Sequence, residues 1–294
     1  MAFLLESRVS KNRKLWLPIL VFVGLLSALS VIGVTQQKDQ LGLLEIQGVI
    51  LDSKTALSQI HSLSKDPNIK GVLVRINSPG GAVAPSQEIF TALTQLSKHK
   101  PVYASMGSIA ASGGFYISLG ANQVFANPGT LTGSIGVIIE SPNVADLMKK
   151  LGVSIEVVKS GKNKDAGSAF REMKPEERNL LKTVIMDTYE QFIEAILQRR
   201  DLDETKLREV ADGRIFTGRQ AKKLGLVDQI GGFNEALTAL KKKAGLTGEV
   251  ELITPPNPDA GFLARLKADA KSSITSLLAP TGGVMYMSPL GGRP

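Results

Sequence analysis

Gly71-Val72-Leu73-Val74-Arg75-Ile76-Asn77-Ser78-Pro79-Gly80-Gly81 reads as an apolar strand, residues 71–76, running into a glycine loop. Residues 85–96 continue as a helix, and Pro85 suits its first turn, where no N–H is needed. The pattern repeats downstream. Residues 101–105 are a strand, 107–114 a second glycine-rich stretch, and 115–119 an apolar helix. Upstream, residues 43–50 are β-rich and 55–63 helical, with a stop near Pro67. Farther on, residues 124–126, 134–139 and 154–158 read as short strands. Helices are expected at 144–151, 207–210, 219–224 and 233–243. A long amphipathic helix is expected at 175–200, with Leu181, Ile185, Phe192 and Ile196 on one side. Strands alternating with helices predict an α/β domain around a largely parallel sheet. Residues 40–254 suffice for one such domain, without an internal repeat of fixed period.

The two ends differ from this middle. Residues 15–34 contain no charged side chain, and twenty helical residues span about 30 Å, the thickness of a bilayer core. Arg8, Lys11, Arg13 and Lys14 precede the run, and Trp16 sits where an interfacial aromatic belongs. The positive-inside rule predicts residues 1–14 in the cytoplasm, a single-pass anchor at 15–34 in contact with membrane lipid, and an extracytoplasmic domain after it. A cleaved signal peptide is the rival, with small residues at Ala28-Leu29-Ser30; the apolar run continues past Ser30, which favours an anchor. At the other end, Pro255-Pro256-Asn257-Pro258 breaks the pattern, and residues 255–294 are expected to be a flexible or amphipathic tail.

The 294 residues carry a net charge of +8 and no cysteine. Disulfides, thiolate metal sites and a cysteine nucleophile are excluded. The basic residues are scattered, without the interleaved aromatics of a nucleic-acid surface, so no nucleic-acid partner is expected. The two glycine loops each follow a strand and open a helix, which gathers free N–H groups able to hold developing negative charge. Neither carries a phosphate-loop or dinucleotide fingerprint. Ser112 stands before Gly113 and Gly114 at a helix start. Its ordinary role there is an N-cap, but small neighbours leave room for a substrate backbone. Gly113 could donate an N–H to an oxyanion, and the Pro79-Gly80-Gly81 loop could supply a second donor. A serine nucleophile needs a base. The only histidines, His61 and His99, occupy surface-type positions, which leaves a desolvated lysine. Lys159, Lys162 and Lys164 share one loop, and composition does not choose among them.

Four segments resemble the bacterial signal peptide peptidase A (SppA) family in its small, single-anchor form. They are Arg75-Ile76-Asn77-Ser78-Pro79-Gly80-Gly81, Ser105-Met106-Gly107-Ser108 through Ala111-Ser112-Gly113-Gly114, Thr130 to Val137, and Lys159-Ser160-Gly161 through Lys164-Asp165. A weaker fifth is Ala211-Asp212-Gly213-Arg214 with Gly218-Arg219-Gln220-Ala221. The resemblance implies Ser112 as nucleophile, Lys164 as general base, Ser134 as a serine that orients the lysine, and Gly81 as an oxyanion donor; Gly113 is added from helix-start geometry alone. It implies a Clp-protease/crotonase-like spiral of β-β-α units, a homo-oligomeric ring, a dyad completed within one chain, and peptide substrates including signal peptide remnants. No metal or organic cofactor is expected. Two rivals share this scaffold: a crotonase-type enzyme acting on thioester enolates, and a non-catalytic membrane scaffold.

Overall fold

The computed structural model describes residues 40–257 and the backbone of residues 285–287. The expected anchor at 15–34 and most of the tail lie outside the described residues. Among the described residues no helix is long and apolar enough to cross a membrane.

β1 (Gln40–Gln47), β2 (Ile69–Ser78) and β4 (Val102–Ala111) form the parallel centre of an eight-stranded sheet. α1 (Lys54–Lys65) connects the first pair; β3 (Gly80–Ala82) and α2 (Val83–Leu96) connect the second. One edge of β4 serves two parallel neighbours in succession, β5 (Gln123–Ala126) along Tyr103–Met106 and β6 (Leu131–Gly133) along Ile109–Ala111. β7 (Ile215–Thr217) pairs antiparallel with β6, β8 (Gln229–Ile230) parallel with β5, and β9 (Glu251–Ile253) parallel with β1. The remaining helices are α3 (Gly113–Ser118), α4 (Ala145–Lys150), α5 (Pro175–Arg199), α6 (Glu204–Val210), α7 (Gly218–Lys223) and α8 (Phe233–Lys243). β10 (Met285–Met287) pairs antiparallel with β3.

The strand sequences alternate between two cores, as a sheet covered on both faces requires. Leu41, Leu73, Tyr103 and Phe125 pack against Ala236 and Leu240 of α8. Their neighbours Leu44, Val72, Val74, Val102, Ala104 and Val124 point the other way, into the cluster that includes Phe115, Phe192 and Ile196. Each buried aliphatic side chain contributes about 1.5–3 kcal/mol through removal from water, so this strict alternation fixes the register of the sheet.

Three expectations are corrected. Residues 107–111 belong to β4 rather than to a loop. Small residues read as a loop because glycine and alanine are poor strand formers, but the central position of β4 overrides propensity. The strand expected at 134–139 lies earlier, at Leu131–Gly133, because Ser134 turns to a φ of 52°. Residues 154–158 form no strand. Ile155, Val157 and Val158 face solvent at 46%, 52% and 101% exposure, with no partner strand among the described residues.

Candidate active site

Ser112 lies between the end of β4 and the start of α3, with φ 53° and ψ −116°. Among the described residues, Ser112 and Ser134 are the only non-glycine residues with positive φ. Such a conformation costs about 1–3 kcal/mol and persists only where the surroundings impose it. Here they do. The Ser112 N–H donates to the Gly133 carbonyl at 2.8 Å, and its carbonyl accepts from the Tyr116 N–H at 2.8 Å. Phe115 and Tyr116 of α3 lock onto Phe192, with ring centroids 6.3 Å and 5.0 Å apart. The side chain does not cap α3. Ser112 is fully buried, and among the described residues its Oγ has no hydrogen-bond partner. An unsatisfied buried hydroxyl costs about 1–3 kcal/mol. The missing cap bond removes the N-cap explanation, and strain with an orphaned hydroxyl fits a strained strand–serine–helix turn.

Ser134 is held next to it. Gly133, whose carbonyl receives the Ser112 N–H, precedes Ser134 in the chain and has φ 78°. The Ser134 N–H donates to the Arg214 carbonyl at 2.8 Å, and the residue is buried. Arg214 is itself fastened to Asp212, with Nε to Oδ1 at 2.7 Å and Nη2 to Oδ2 at 2.5 Å. The Arg214 guanidinium pulls the Asp212 carboxyl down to about 2. The weak fifth motif thus positions Ser134, a role that its sequence alone did not disclose.

Gly81 is glycine by necessity. A Cβ there would stand 2.1 Å from the Ile50 carbonyl oxygen. Ile50 receives the Ala82 N–H at 2.7 Å and donates to the Gly80 carbonyl at 2.9 Å. Backbone groups of successive strand residues face opposite edges, so the Gly81 N–H faces away from Ile50. A Cβ on Gly113 would lie 3.2 Å from that Gly81 nitrogen and 2.6 Å from Ser86 Oγ. Close approach of the two glycines therefore sets one backbone N–H beside the residue that follows Ser112. Ser86, which donates to the Ala82 carbonyl at 2.9 Å, completes the wall. It was not singled out by sequence, because a serine in the first turn of a helix is ordinary.

The structure brings Ser112, Gly113, Gly81 and Ser134 together; it does not join Lys164 to them. Lys164 is exposed, and within one chain no hydrogen bond links it to Ser112. The expected dyad within a single chain is not closed. Lys159 is engaged elsewhere, in an ion pair with Asp165 and a bond to the Lys162 carbonyl at 3.1 Å. Arg171 grips the same Asp165 at 2.9 Å and Glu177 at 2.8 Å. Arg171 first, then Lys159, hold the Asp165 carboxyl well below the usual carboxylate range; Arg171 likewise takes Glu177 down to about 2. His61 and His99 are exposed. Among the described residues, no group of three or more His, Asp or Glu could hold a metal ion.

Residues 94–247 match peptidase family S49, and residues 46–132 match Clp protease. The fold is thus mixed α/β and ClpP-like. A Synechocystis sp. protein bearing a protease name is 44% identical over 76% of this chain and 82% of its own length. An Enterococcus faecium protein named for signal peptide peptidase SppA is 38% identical over 74% of this chain and 67% of its own. The chloroplastic serine protease SPPA of Arabidopsis thaliana is 34% identical over 79% of this chain and 36% of its own. With a family match over half the chain and these identities behind it, the chain belongs to peptidase family S49, among the serine peptidases of the SppA family.

Proposed function

We propose that this chain is a membrane-anchored serine endopeptidase that hydrolyses leftover signal peptides and other apolar peptides on the outer side of the cytoplasmic membrane. The observation that carries the reading is Ser112, buried in a left-handed turn with its hydroxyl unpaired and Gly113 packed against the Gly81 nitrogen. Lys164 takes the proton from Ser112 Oγ as that oxygen attacks the peptide carbonyl carbon. The N–H groups of Gly81 and Gly113 hold the tetrahedral oxyanion, and Ser134 orients the lysine amine. Lys164 passes the proton to the leaving amine, and water then hydrolyses the acyl-enzyme.

A lysine serves as a base only where water is excluded. Lys164 is exposed in the single chain. The stretch of sequence on either side of it carries Leu151, Val153, Val158 and Phe170, all exposed apolar side chains. Packing of copies into a ring covers such a surface, dries the lysine loop and completes the dyad. The uncharged run at residues 15–34 supplies the anchor.

The test is digestion of signal-peptide-derived peptides by the full chain in detergent, followed by mass spectrometry. Ser112→Ala and Lys164→Arg should each slow hydrolysis by about ten-thousand-fold or more, with the circular dichroism spectrum unchanged. Arginine fails because it stays protonated. Undiminished cleavage by either variant removes that residue from the mechanism.

A further inference from the structure

Because β1, β2 and β4 run parallel, one end of the sheet gathers their C-termini and the other their N-termini. Ser112 follows β4 and Gly81 follows β2, so the candidate site belongs to the first end. The second end carries different chemistry. α1 and α2 run back against the strands and finish there, with Lys65 in the last turn of α1 and Lys98 just past α2. Lys70 opens β2 beside them. On the other face of the sheet α8 finishes at the same end. A Cβ on Gly71, near the start of β2, would meet Leu240 at 3.0 Å and Pro101, the residue before β4, at 3.2 Å. Lys241, Lys242 and Lys243 follow Leu240 directly. All of these lysines are exposed except Lys241, which is half-buried. Lys100 does not join them, because its ammonium donates to the Leu63 and Asp66 carbonyls at 2.8 Å and 2.6 Å. The acids beside the lysines are fewer: Glu249, Asp66, which accepts the Asn68 N–H at 2.9 Å, and Glu251, which accepts from Gln40 Nε2 at 2.9 Å.

We propose that this basic end of the domain is a docking surface for anionic lipid headgroups. The choice of partner rests on the membrane reading above and on where the chain enters the fold. Gln40 opens β1 at this end, its N–H donating to the Asn68 carbonyl at 3.1 Å. Only residues 35–39 separate it from the uncharged run, and six peptide units reach no farther than about 20 Å. A lysine gains from an anionic bilayer face only within the screening length, about 8 Å in physiological salt, so a short tether and a basic end reinforce each other. Residues 62–70, 95–101 and 239–249 contain no Phe, Tyr or Trp to stack on bases, which disfavours a nucleic acid. With the lysines on lipid, Ser112 stands the length of β4 away, ten residues or about 33 Å. A peptide then has to leave the bilayer before it is cut.

The test uses the full chain reconstituted into vesicles of phosphatidylcholine with and without phosphatidylglycerol. Lysines are acetylated with a water-soluble reagent, and the rate at each is read by mass spectrometry. Lys65, Lys98 and Lys242 should react about fivefold more slowly on the anionic vesicles, the population factor expected for one lysine held at such a surface. Salt at 1 M, which cuts the screening length to about 3 Å, should restore the rates. Lys182, exposed on α5, should react equally in both lipids. Lys241→Glu, Lys242→Glu and Lys243→Glu together should return Lys65 and Lys98 to their phosphatidylcholine rates. Equal rates in the two lipids, equal protection of Lys182, or protection that survives both salt and the triple substitution overturns the proposal. An alkaline wash separates this from the anchor. A chain stripped from phosphatidylcholine but protected on phosphatidylglycerol would sink the anchor and leave the basic surface standing; a chain retained by both with no lipid dependence would sink the surface alone.

Discussion

At Ser112 two unfavourable features coincide, a left-handed backbone and a buried hydroxyl without a partner. Each is worth about 1–3 kcal/mol. Glycine relieves both, and its own penalty, extra freedom in the unfolded chain, is about 0.4–1 kcal/mol. Ser112→Gly is therefore expected to raise the thermal midpoint while abolishing hydrolysis, and calorimetry checks it. A lower midpoint would mean that the serine stabilises the fold, and the argument from strain would fail. The position of Ser112 was legible in the sequence because flanking small residues mark a crowded turn. Its strain was not, since φ depends on the Gly133 carbonyl that holds its N–H, twenty-one positions away. The same holds for Ser134, whose N–H is held by the carbonyl of Arg214, distant in sequence but brought alongside by the pairing of β7 with β6. Glycine 81 was legible as a loop residue but not as the neighbour of Gly113, which only the pairing with Ile50 establishes.

Among the elements, the central strands and most helices were readable because two-residue alternation and helical spacing survive burial. Residues 154–158 misled because they are β-rich yet pair with no strand among the described residues. The segment carrying the lysines is held instead by charge. Arg171 bridges Asp165 and Glu177, and Glu177 also accepts the Lys174 N–H at 3.1 Å at the start of α5. Both carboxyls titrate below their ordinary values when folded. Their contribution to stability is thus complete above the unfolded values and is lost as pH falls through the folded ones. For Glu177 the window runs from its ordinary 4.5 down to about 2. Thermal midpoints measured across that window should fall steeply for the parent chain and less steeply for Glu177→Gln, which should also be less stable at neutral pH. Parallel curves for the two proteins would show that the Arg171 bridge does not hold the segment.

For the whole molecule, the proposed reading pairs a buried serine, Ser112, with a lysine, Lys164, on an exposed segment. If packing between copies unites them, specific activity should rise with protein concentration and reach a plateau at the concentration where light scattering reports assembly. Activity per chain that stays constant down to the monomer would place the whole dyad in one copy. The Ser112 hydroxyl, which no described residue engages, then acquires a meaning for the cell. On the proposed reading, a newly made protomer that has met no other copy would be chemically idle. Proteolysis would then begin only where enough copies have gathered, and abundance itself would serve as the safety catch.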